Sequence, residues 1–435
     1  MHIIKKHSAL LALAAAIAVI LVLAVRTYAL KDNVEFELHD WFGSREAIQD
    51  VAIKGELFDG YHRTLFRLEE GRVDTRTEIF AQPQWNNSFS YVPGGPKRMG
   101  GGMEYSVENT TTSYTITSRK QKSYYSIPIG SSEVTPPIVF RSPEGRDGII
   151  LANSPEYGLA KIGEKVYFTV PVSAYFTGSS GIYELKFYEW GFGSAVDQAE
   201  YAPRKIVDIN LDANRPEEHA GVEVLGLEAV SDRLALISVE HNTLFIRSYD
   251  SQSGQLLGEA SVPDVHLPAR GEEGQRTPVS MGYYEGYEAY RDDEQNILTL
   301  SFRRTSSETE RLHTTILSLD FSDGVKIAST VNAVFDDGEE DTFSGISHMS
   351  YRNGKLYVIK TFRDRETEPS RLFYELVRPK HMYIYAYEHS ELIYKGELVT
   401  ELNEDNIRAL NLPPAHGGFG YDQLDYRRFA DIAVE

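Results

Sequence analysis

The stretch that decides the fold is Asp232–Val262, which reads DRLALISVEHNTLFIRSYDSQSGQLLGEASV. It contains one strand-like run at Arg233–Glu240, a second at Leu244–Tyr249 and a third that begins at Leu256. Polar residues at 241–243 and a polar turn ending in Ser-Gly separate these runs. Short strands joined by tight turns of this kind predict an antiparallel meander.

The first run is apolar on both of its alternating faces, and this constrains how the meander packs. Leu234 and Leu236 lie on one face, whereas Ala235, Ile237 and Val239 lie on the other. A strand of this kind needs apolar cover on both sides. A sheet packed between two similar sheets receives that cover, and a ring of such sheets is a β-propeller.

The same pattern recurs along the chain, with turns near Gly71, Gly254, Gly324 and Glu391. The last three turns are separated by roughly 60–70 residues, which exceeds the 40–45 residues of a WD-type repeat. Helical periodicity is nearly absent outside the N-terminus, which argues against α/β folds. A row of β-sandwich modules is the alternative, but linkers at their spacing of about 100 residues are missing.

We therefore predict an all-β fold, a β-propeller of six or seven four-stranded blades in residues 45–435, preceded by one N-terminal transmembrane helix. Ring closure is expected to pair a final strand, Arg428–Val434, with strands of the N-terminal blade. Such pairing removes an exposed sheet edge.

The N-terminus bears on location. Lys5 and Lys6 precede Ala9–Val25, seventeen apolar residues without a charge. As a helix this run is about 26 Å long, close to a hydrocarbon core of roughly 30 Å. Residues 1–30 are predicted to be a membrane anchor with its N-terminus inside and the body outside the cytoplasm, or a signal peptide cleaved after Ala29. Residues 31–44 are then a polar connector.

Composition excludes several classes of function. The chain has no cysteine, which excludes disulfides, thiolate chemistry and cysteine-ligated zinc. Its formal net charge is −20, and the first 30 residues hold three cations and no carboxylate, so the remaining body is more acidic still. An acidic body repels nucleic acid and anionic surfaces, and we expect no nucleic-acid partner.

A tyrosine-rich segment, residues 282–290, is the first candidate site. It offers two kinds of side chain, the tyrosines Tyr283, Tyr284, Tyr287 and Tyr290 and the carboxylates Glu285 and Glu288. Aromatic faces beside carboxylates suit sugar recognition, and a carboxylate pair is also what a glycosidase needs. Tyrosines equally line the interfaces between packed sheets, so both interpretations stay open.

Two further segments carry candidate chemistry. His416, Asp422 and Asp425 in a C-terminal Gly-rich loop are candidates for an acid–base pair. The run 336–341 places five carboxylates in six positions, and the candidate Ca²⁺ ligands among them are Asp336, Asp337, Glu339 and Asp341. Oxygen donors on a turn suit Ca²⁺, although the spacing fits no EF-hand and a solvated acidic turn is the alternative. Motifs for phosphate, zinc or a serine nucleophile are missing.

The run Tyr249–Leu256, YDSQSGQL, resembles the strand-turn of propellers in the quinoprotein-like and YVTN-like group, where an aromatic-Asp pair precedes Ser/Thr-Gly. The resemblance implies a propeller. It implies no cofactor, because the Trp-containing signature of quinoprotein repeats and the G-H…W-D pair of WD repeats are missing. The layout of an anchor and an acidic, cysteine-free β body looks like that of uncharacterised membrane-anchored surface proteins of Gram-positive bacteria.

These observations favour a non-catalytic, extracytoplasmic binding, sensor or scaffold module with an unknown protein or glycan ligand. A propeller presents a rigid ring of variable loops, and the chain carries no recognised catalytic signature. The alternative is a glycan-acting hydrolase or lyase whose carboxylate pair lies at the propeller mouth. Its candidate residues are Glu285, Glu288, Asp422 and Asp425, with His416 as a further acid or base.

Overall fold

The computed structural model describes residues 8–30, 36–58, 62–81, 97–110, 113–122, 125–141, 151–189, 200–212, 221–263, 287–305, 312–335, 345–362, 381–400 and 428–435. The N-terminal helix α1 spans Ser8–Leu30, as its apolar sequence predicts. Its side chains at Leu13 and at positions 15–25 are exposed where they are described. In the described ranges, no helix is both long and apolar enough to cross a membrane. This finding does not support the transmembrane part of the prediction.

The rest of the described chain consists of β-strands with two short 3-10 helices, Arg45–Ile48 and Pro155–Gly158. The strands in chain order are β1 Phe36–Gly43, β2 Ile53–Phe58, β3 His62–Glu69, β4 Arg72–Ile79, β5 Lys97–Arg98, β6 Met103–Asn109, β7 Tyr114–Lys122, β8 Tyr125–Val134, β9 Ile138–Phe140, β10 Leu159–Ile162, β11 Lys165–Phe168, β12 Phe176–Glu184, β13 Tyr188–Glu189, β14 Arg204–Asn210, β15 Glu223–Val230, β16 Arg233–Glu240, β17 Thr243–Asp250, β18 Leu256–Val262, β19 Glu288–Asp292, β20 Ile297–Thr305, β21 Leu312–Asp320, β22 Lys326–Val334, β23 Gly345–Arg352, β24 Lys355–Phe362, β25 His381–Glu388, β26 Glu391–Thr400 and β27 Arg428–Val434.

These strands form six antiparallel sheets, which makes the fold propeller-like. Three sheets have four strands: sheet 1 (β27-β2-β3-β4), sheet 4 (β15-β16-β17-β18) and sheet 5 (β19-β20-β21-β22). The other three have five: sheet 2 (β13-β8-β7-β6-β5), sheet 3 (β10-β11-β12-β14, with β9 on β12) and sheet 6 (β1-β26-β25-β24-β23). The expected four-stranded unit is therefore extended in half of the sheets.

Sheet 4 shows why its sequence is apolar on both faces. Leu234 and Leu236 of β16 belong to an apolar core shared with sheets 2 and 3. Ala235, Ile237 and Val239 belong to a separate core shared with sheet 5. The strand is thus covered on both sides by neighbouring sheets, as predicted.

Two further apolar cores continue this packing along the chain. One joins sheet 5 to sheet 6, with Ile316 and Val331 packed against Leu356 and Val358. The other joins sheet 6 back to sheet 1. Shared cores therefore connect the sheets in order from sheet 2 to sheet 6, and then sheet 6 to sheet 1.

The C-terminal strand β27 lies in sheet 1 and confirms the predicted pairing. It runs antiparallel to β2, with Val434 opposite Ile53 and Arg428 opposite Phe58. Backbone hydrogen bonds of 2.9 and 2.8 Å between Ala52 and Glu435 extend the ladder. A strand from the end of the sequence thereby joins β2, β3 and β4 in one sheet.

Within the stretch predicted as a polar connector, residues 31–44, the structure describes strand β1. This strand adds to the outer edge of sheet 6 by pairing with β26, so that Phe36 lies opposite Thr400. The acidic residues and histidine of this stretch suggested a connector, but Leu38 is buried in the core between sheets 6 and 1. Alternation over so few residues was too weak a signal to predict a strand.

Candidate functional site

The first strands of neighbouring sheets, β19 of sheet 5 and β23 of sheet 6, run side by side in the same direction. The Tyr290 hydroxyl of β19 donates to the Ile346 carbonyl of β23 at 3.1 Å. Two residues further along β19, Asp292 pairs with Arg352 near the end of β23, at 2.5 Å. Residues early in β19 contact residues early in β23, and residues late in β19 contact residues late in β23. The two strands therefore run parallel.

The neighbouring first strand, β15 of sheet 4, follows the same direction. Tyr287, just before β19, donates its hydroxyl to Glu228 of β15 at 3.0 Å. Ser231, just after β15, donates its backbone N–H to Asp293, just after β19, at 3.0 Å. The starts of these strands therefore lie at one end of the assembly, which we call the entry end. Their ends lie at the opposite, exit end.

The first strand of sheet 1, β27, shares this direction. Asn353 follows β23 and donates to the Asp50 carbonyl at 3.3 Å. Asp50 lies two residues before Ala52, which pairs with Glu435 immediately after β27. The ends of β23 and β27 are thus neighbours at the exit end, and the chain enters both strands at the entry end.

The two ends differ in how the strands are connected. In sheets 1, 4, 5 and 6 the exit end carries short turns, with left-handed backbone at Glu70, Gly71, Ser231, Gly254, Asn296, Gly324, Asn353, Gly354, His389 and Ser390. At the entry end, the turn at His241–Asn242 is short. The other connections there contain the segments 59–61, 82–96, 213–220, 264–286, 306–311, 336–344, 363–380 and 401–427, which lie outside the described residues. The long connections of these four sheets are therefore attached to the entry end.

A cluster of polar side chains lies where β19 and β23 begin. The Tyr290 hydroxyl is 3.0 Å from a Glu288 carboxylate oxygen. The rings of Tyr290 and His348 meet edge to face, with centroids 6.0 Å apart. All three side chains are half-buried, so each is partly accessible from solvent. A carboxylate, a phenol and an imidazole are thereby held together at the entry end.

His348 is neutral at physiological pH in this environment. Burial is the main cause and lowers the pKa of His348 to about 4, with Asp292 opposing the shift and Arg352 adding to it. A neutral imidazole keeps one nitrogen as a hydrogen-bond acceptor and the other as a donor. The cluster can therefore accept and donate hydrogen bonds to a ligand without carrying an extra positive charge.

Tyr287 belongs to the interface between sheets rather than to this cluster. It is 4% exposed and packs edge to face on Tyr157, with ring centroids 5.2 Å apart. Its partner Glu228 also lies 3.5 Å from the ammonium of Lys97 on β5. Lys97 in turn donates to the Leu159 carbonyl at 2.7 Å, which links sheets 2, 3, 4 and 5. This placement favours the interface interpretation for Tyr287.

The remaining predicted site residues lie outside the described residues: Tyr283, Tyr284, Glu285, Asp336, Asp337, Glu339, Asp341, His416, Asp422 and Asp425. Their roles stay predictions. Their segments precede β19, β23 and β27, which the chain enters at the same end. In the described part of the chain, no three histidine or acidic side chains are grouped so that they could hold a metal ion.

Sequence reasoning missed His348 and the Asp292–Arg352 pair. His348 lies in Gly345–Arg352, which reads GISHMSYR and carries no motif. Its only signal is a histidine inside a strand-like run, which is far more often structural. The β-bulge between Ile346 and His348 changes which way the following side chains point, and the sequence does not show it.

Comparison with known proteins leaves the family open. No protein-family model matches the chain, and no curated protein matches it either. A solved structure from Lactobacillus plantarum is similar over 80% of this chain and 82% of that chain, with 12% identity and a TM-score of 0.34. A prolyl endopeptidase is similar over 80% of this chain and 42% of its own, with 9% identity and a TM-score of 0.28. Dihydro-heme d1 dehydrogenase NirN, solved in complex with DHE, is similar over 81% of this chain and 74% of its own, with 10% identity and a TM-score of 0.22. Similarities this remote say nothing about function.

Proposed function

We propose that the chain is a non-catalytic binding, sensor or scaffold module whose protein or glycan ligand binds at the entry end. The observation that carries this proposal is the difference between the two ends. In sheets 1, 4, 5 and 6 the exit end carries short turns, whereas the long connections of these sheets lie at the entry end. Binding residues concentrate in loops that a rigid scaffold positions, and sheets packed through shared cores form such a scaffold.

The cluster of Glu288, Tyr290 and His348 is the described part of that binding face. Ligand sites combine apolar and aromatic surface with a few polar groups that fix orientation. The Tyr290 hydroxyl is itself fixed by Glu288 at 3.0 Å and by the Ile346 carbonyl at 3.1 Å. Its ring edge and the neutral His348 are therefore held in place before any ligand arrives, which lowers the entropic cost of binding.

The proposal includes a closed ring of six blades in which sheet 1 also neighbours sheet 2. Support comes from the shared cores that connect sheets 2 to 6 and sheet 6 to sheet 1. The C-terminal strand β27 contributes the first strand of the first sheet, as ring closure requires. A closed ring would orient all first strands alike and gather their entry ends around one axis.

Location at a membrane, with the body outside the cytoplasm, is part of the same proposal. It rests on the apolar sequence of residues 9–25 and on the exposure of Leu13, Val22 and Val25, at 59%, 66% and 67%. Exposed apolar side chains in such number need cover from outside the protein. Carbonate extraction of cell membranes tests this. The full chain should stay in the membrane pellet, and release into the supernatant would reject an anchor.

A glycan-acting hydrolase or lyase stays the second candidate, because one carboxylate of its predicted pair lies at the entry end. Glu288 accepts a hydrogen bond from Tyr290 there, and the ring of Tyr290 meets that of the neutral His348. Glu285, Asp422 and Asp425, the other possible members, belong to segments that lead into β19 and β27 at that end. A retaining or inverting pair would need about 5–10 Å between the carboxyl groups.

The experiment that separates these functions is a screen of the full chain, in detergent, against cell-wall and plant glycans. We expect saturable binding of one ligand without product. Turnover that Glu288→Gln abolishes would reject the binding-module proposal in favour of the enzyme. Lys326→Ala is a matched control, because Lys326 is exposed and lies at the exit end of sheet 5. It should change neither binding nor turnover.

A further inference from the structure

Two adjacent aromatic side chains are exposed on β1, at the outer edge of sheet 6. Trp41 is 62% exposed and Phe42 is 53% exposed. The pairing of β1 with β26 shifts register between Asp40 and Phe42, so Trp41 is the extra residue of a β-bulge. Bulges re-aim side chains and often lie next to functional sites. Here the irregularity leaves both aromatic side chains accessible to solvent.

The indole of Trp41 is held in one orientation. Its Nε1–H donates to a Glu397 carboxylate oxygen at 2.8 Å, and Glu397 itself is only 7% exposed. Asp40, the preceding residue, accepts hydrogen bonds from Arg45 and from the Tyr394 hydroxyl, both at 2.8 Å. The acceptor of the indole and the backbone before it are therefore both fixed, while the ring stays largely exposed.

The end of β1 is fixed as well. Gly43 has a left-handed backbone with φ +74°, and a Cβ added there would lie 2.0 Å from the Ile393 carbonyl oxygen. Only glycine fits this close approach, so the strand is locked against β26 immediately after Phe42. An aromatic surface that is rigid before binding loses little side-chain entropy when a ligand arrives.

The groups around the two rings indicate the kind of ligand. The nearby cations are already engaged, since Arg45 pairs with Asp40 and the Lys395 ammonium lies 4.2 Å from the centroid of Tyr383. Glu37 on the same strand is strongly exposed. These engaged cations and the exposed Glu37 form the rim around the two rings, and such a rim disfavours an anionic bilayer or an acidic polymer as the ligand. Exposed aromatic rings with an exposed carboxylate on the same strand suit a sugar, which offers an apolar C–H ring face and hydroxyl groups that donate hydrogen bonds.

We propose that Trp41 and Phe42 form a stacking platform for the pyranose rings of a neutral glycan. The C–H face of the sugar would lie on the aromatic rings, and its hydroxyl groups would donate to carboxylates at the rim. This site lies on the outer edge of sheet 6, away from the cluster of Glu288, Tyr290 and His348. The inference therefore stands without the ligand proposed for the entry end.

The test uses the full chain in detergent with cellohexaose, xylohexaose and chitohexaose. Binding is followed by calorimetry and by tryptophan fluorescence. At least one oligosaccharide should bind saturably, and Trp41→Ala and Phe42→Ala should each weaken that binding by about tenfold, the loss of roughly one aromatic contact. Leu256→Ala is the matched control, because Leu256 is 50% exposed on the outer strand of another sheet. It should leave the affinity unchanged.

Three results would overturn the inference. The first is the absence of saturable binding to all three sugars, or binding that neither aromatic variant changes. The second is binding to phosphatidylcholine vesicles that both variants abolish, which would make a bilayer the occupant. The third is self-association that both variants abolish, which would make a second copy the occupant. Phe42→Ala keeps the hydrogen bond between Trp41 and Glu397, so it still tests the platform if Trp41→Ala fails to fold.

Discussion

Deleting β27 should destabilise the protein strongly, because this strand completes sheet 1 from the other end of the chain. Removing Arg428–Glu435 exposes the edge of β2 and the core around Val434, which is 3% exposed. Burial of a valine side chain contributes about 1.5–3 kcal/mol. The two Ala52–Glu435 backbone bonds contribute roughly 0.5–1.5 kcal/mol each.

Aromatic contacts add to this loss. Phe429 packs on Phe36 and Phe66, with ring centroids 6.1 and 5.9 Å away. Together with the ladder along β2, we expect a loss of at least about 4 kcal/mol in the free energy of unfolding, out of a usual total of 5–15 kcal/mol. Urea unfolding followed by circular dichroism measures it. The truncated chain should unfold at much lower urea and aggregate through its open edge.

The control for this deletion is Glu435→Gln. This substitution removes the ion pairs of Glu435 with Lys54 and Arg67 but keeps the strand. Exposed pairs of this kind contribute roughly 0–1 kcal/mol, so the urea concentration at the midpoint of unfolding should change little. A truncated chain with the same midpoint and slope as the full chain would refute the reasoning, because β27 would then not be part of the cooperative core.

Three further predictions concern buried groups. Tyr114→Phe should leave the free energy of unfolding unchanged or raise it by up to about 1 kcal/mol, because the hydroxyl is buried without a hydrogen-bond partner among the described residues; a clear loss in urea unfolding would contradict this. Folding holds His348 neutral, so the free energy of unfolding should fall by up to about 3 kcal/mol as the pH falls from about 6.5 to 4. The variant His348→Gln should lack this pH dependence. Equal pH profiles of the two proteins would contradict the prediction. Leu236→Ala and Ile237→Ala should each cost about 2–5 kcal/mol and add, because they line separate cores; strongly non-additive losses would indicate a single shared core.

The sequence predicted the sheets better than it predicted the site. The apolar residues of β16 alternate between two cores, and a strand-length run that is apolar on both faces is visible in the letters alone. The final strand was equally clear, because Arg428–Val434 follows a long Gly- and Pro-containing stretch and ends the chain. Strand β1 was missed, because its cover comes from β26, more than 350 residues away in the sequence.

The site depended on contacts between sheets, which no local pattern reports. Tyr287 and Tyr290 stand in one tyrosine-rich segment, yet Tyr287 packs toward sheet 4 and Tyr290 toward sheet 6. Successive side chains of a strand point to opposite faces of its sheet, so the sequence shows which residues share a face. It does not show which neighbouring sheet covers that face. His348 became a candidate only because the parallel first strands bring it beside Tyr290.

The central claim, that the entry end is the functional face, is tested most directly by photo-crosslinking from the two ends of one strand. Ser347 and Asn353 are both exposed, and they lie at the entry and exit ends of β23. A photoreactive amino acid is placed at either position in the full chain, and crosslinking is carried out in native membranes. Position 347 should yield a saturable, specific adduct that His348→Gln weakens, and position 353 should yield none. Adducts from position 353 alone, or equal adducts from both positions, would contradict the account.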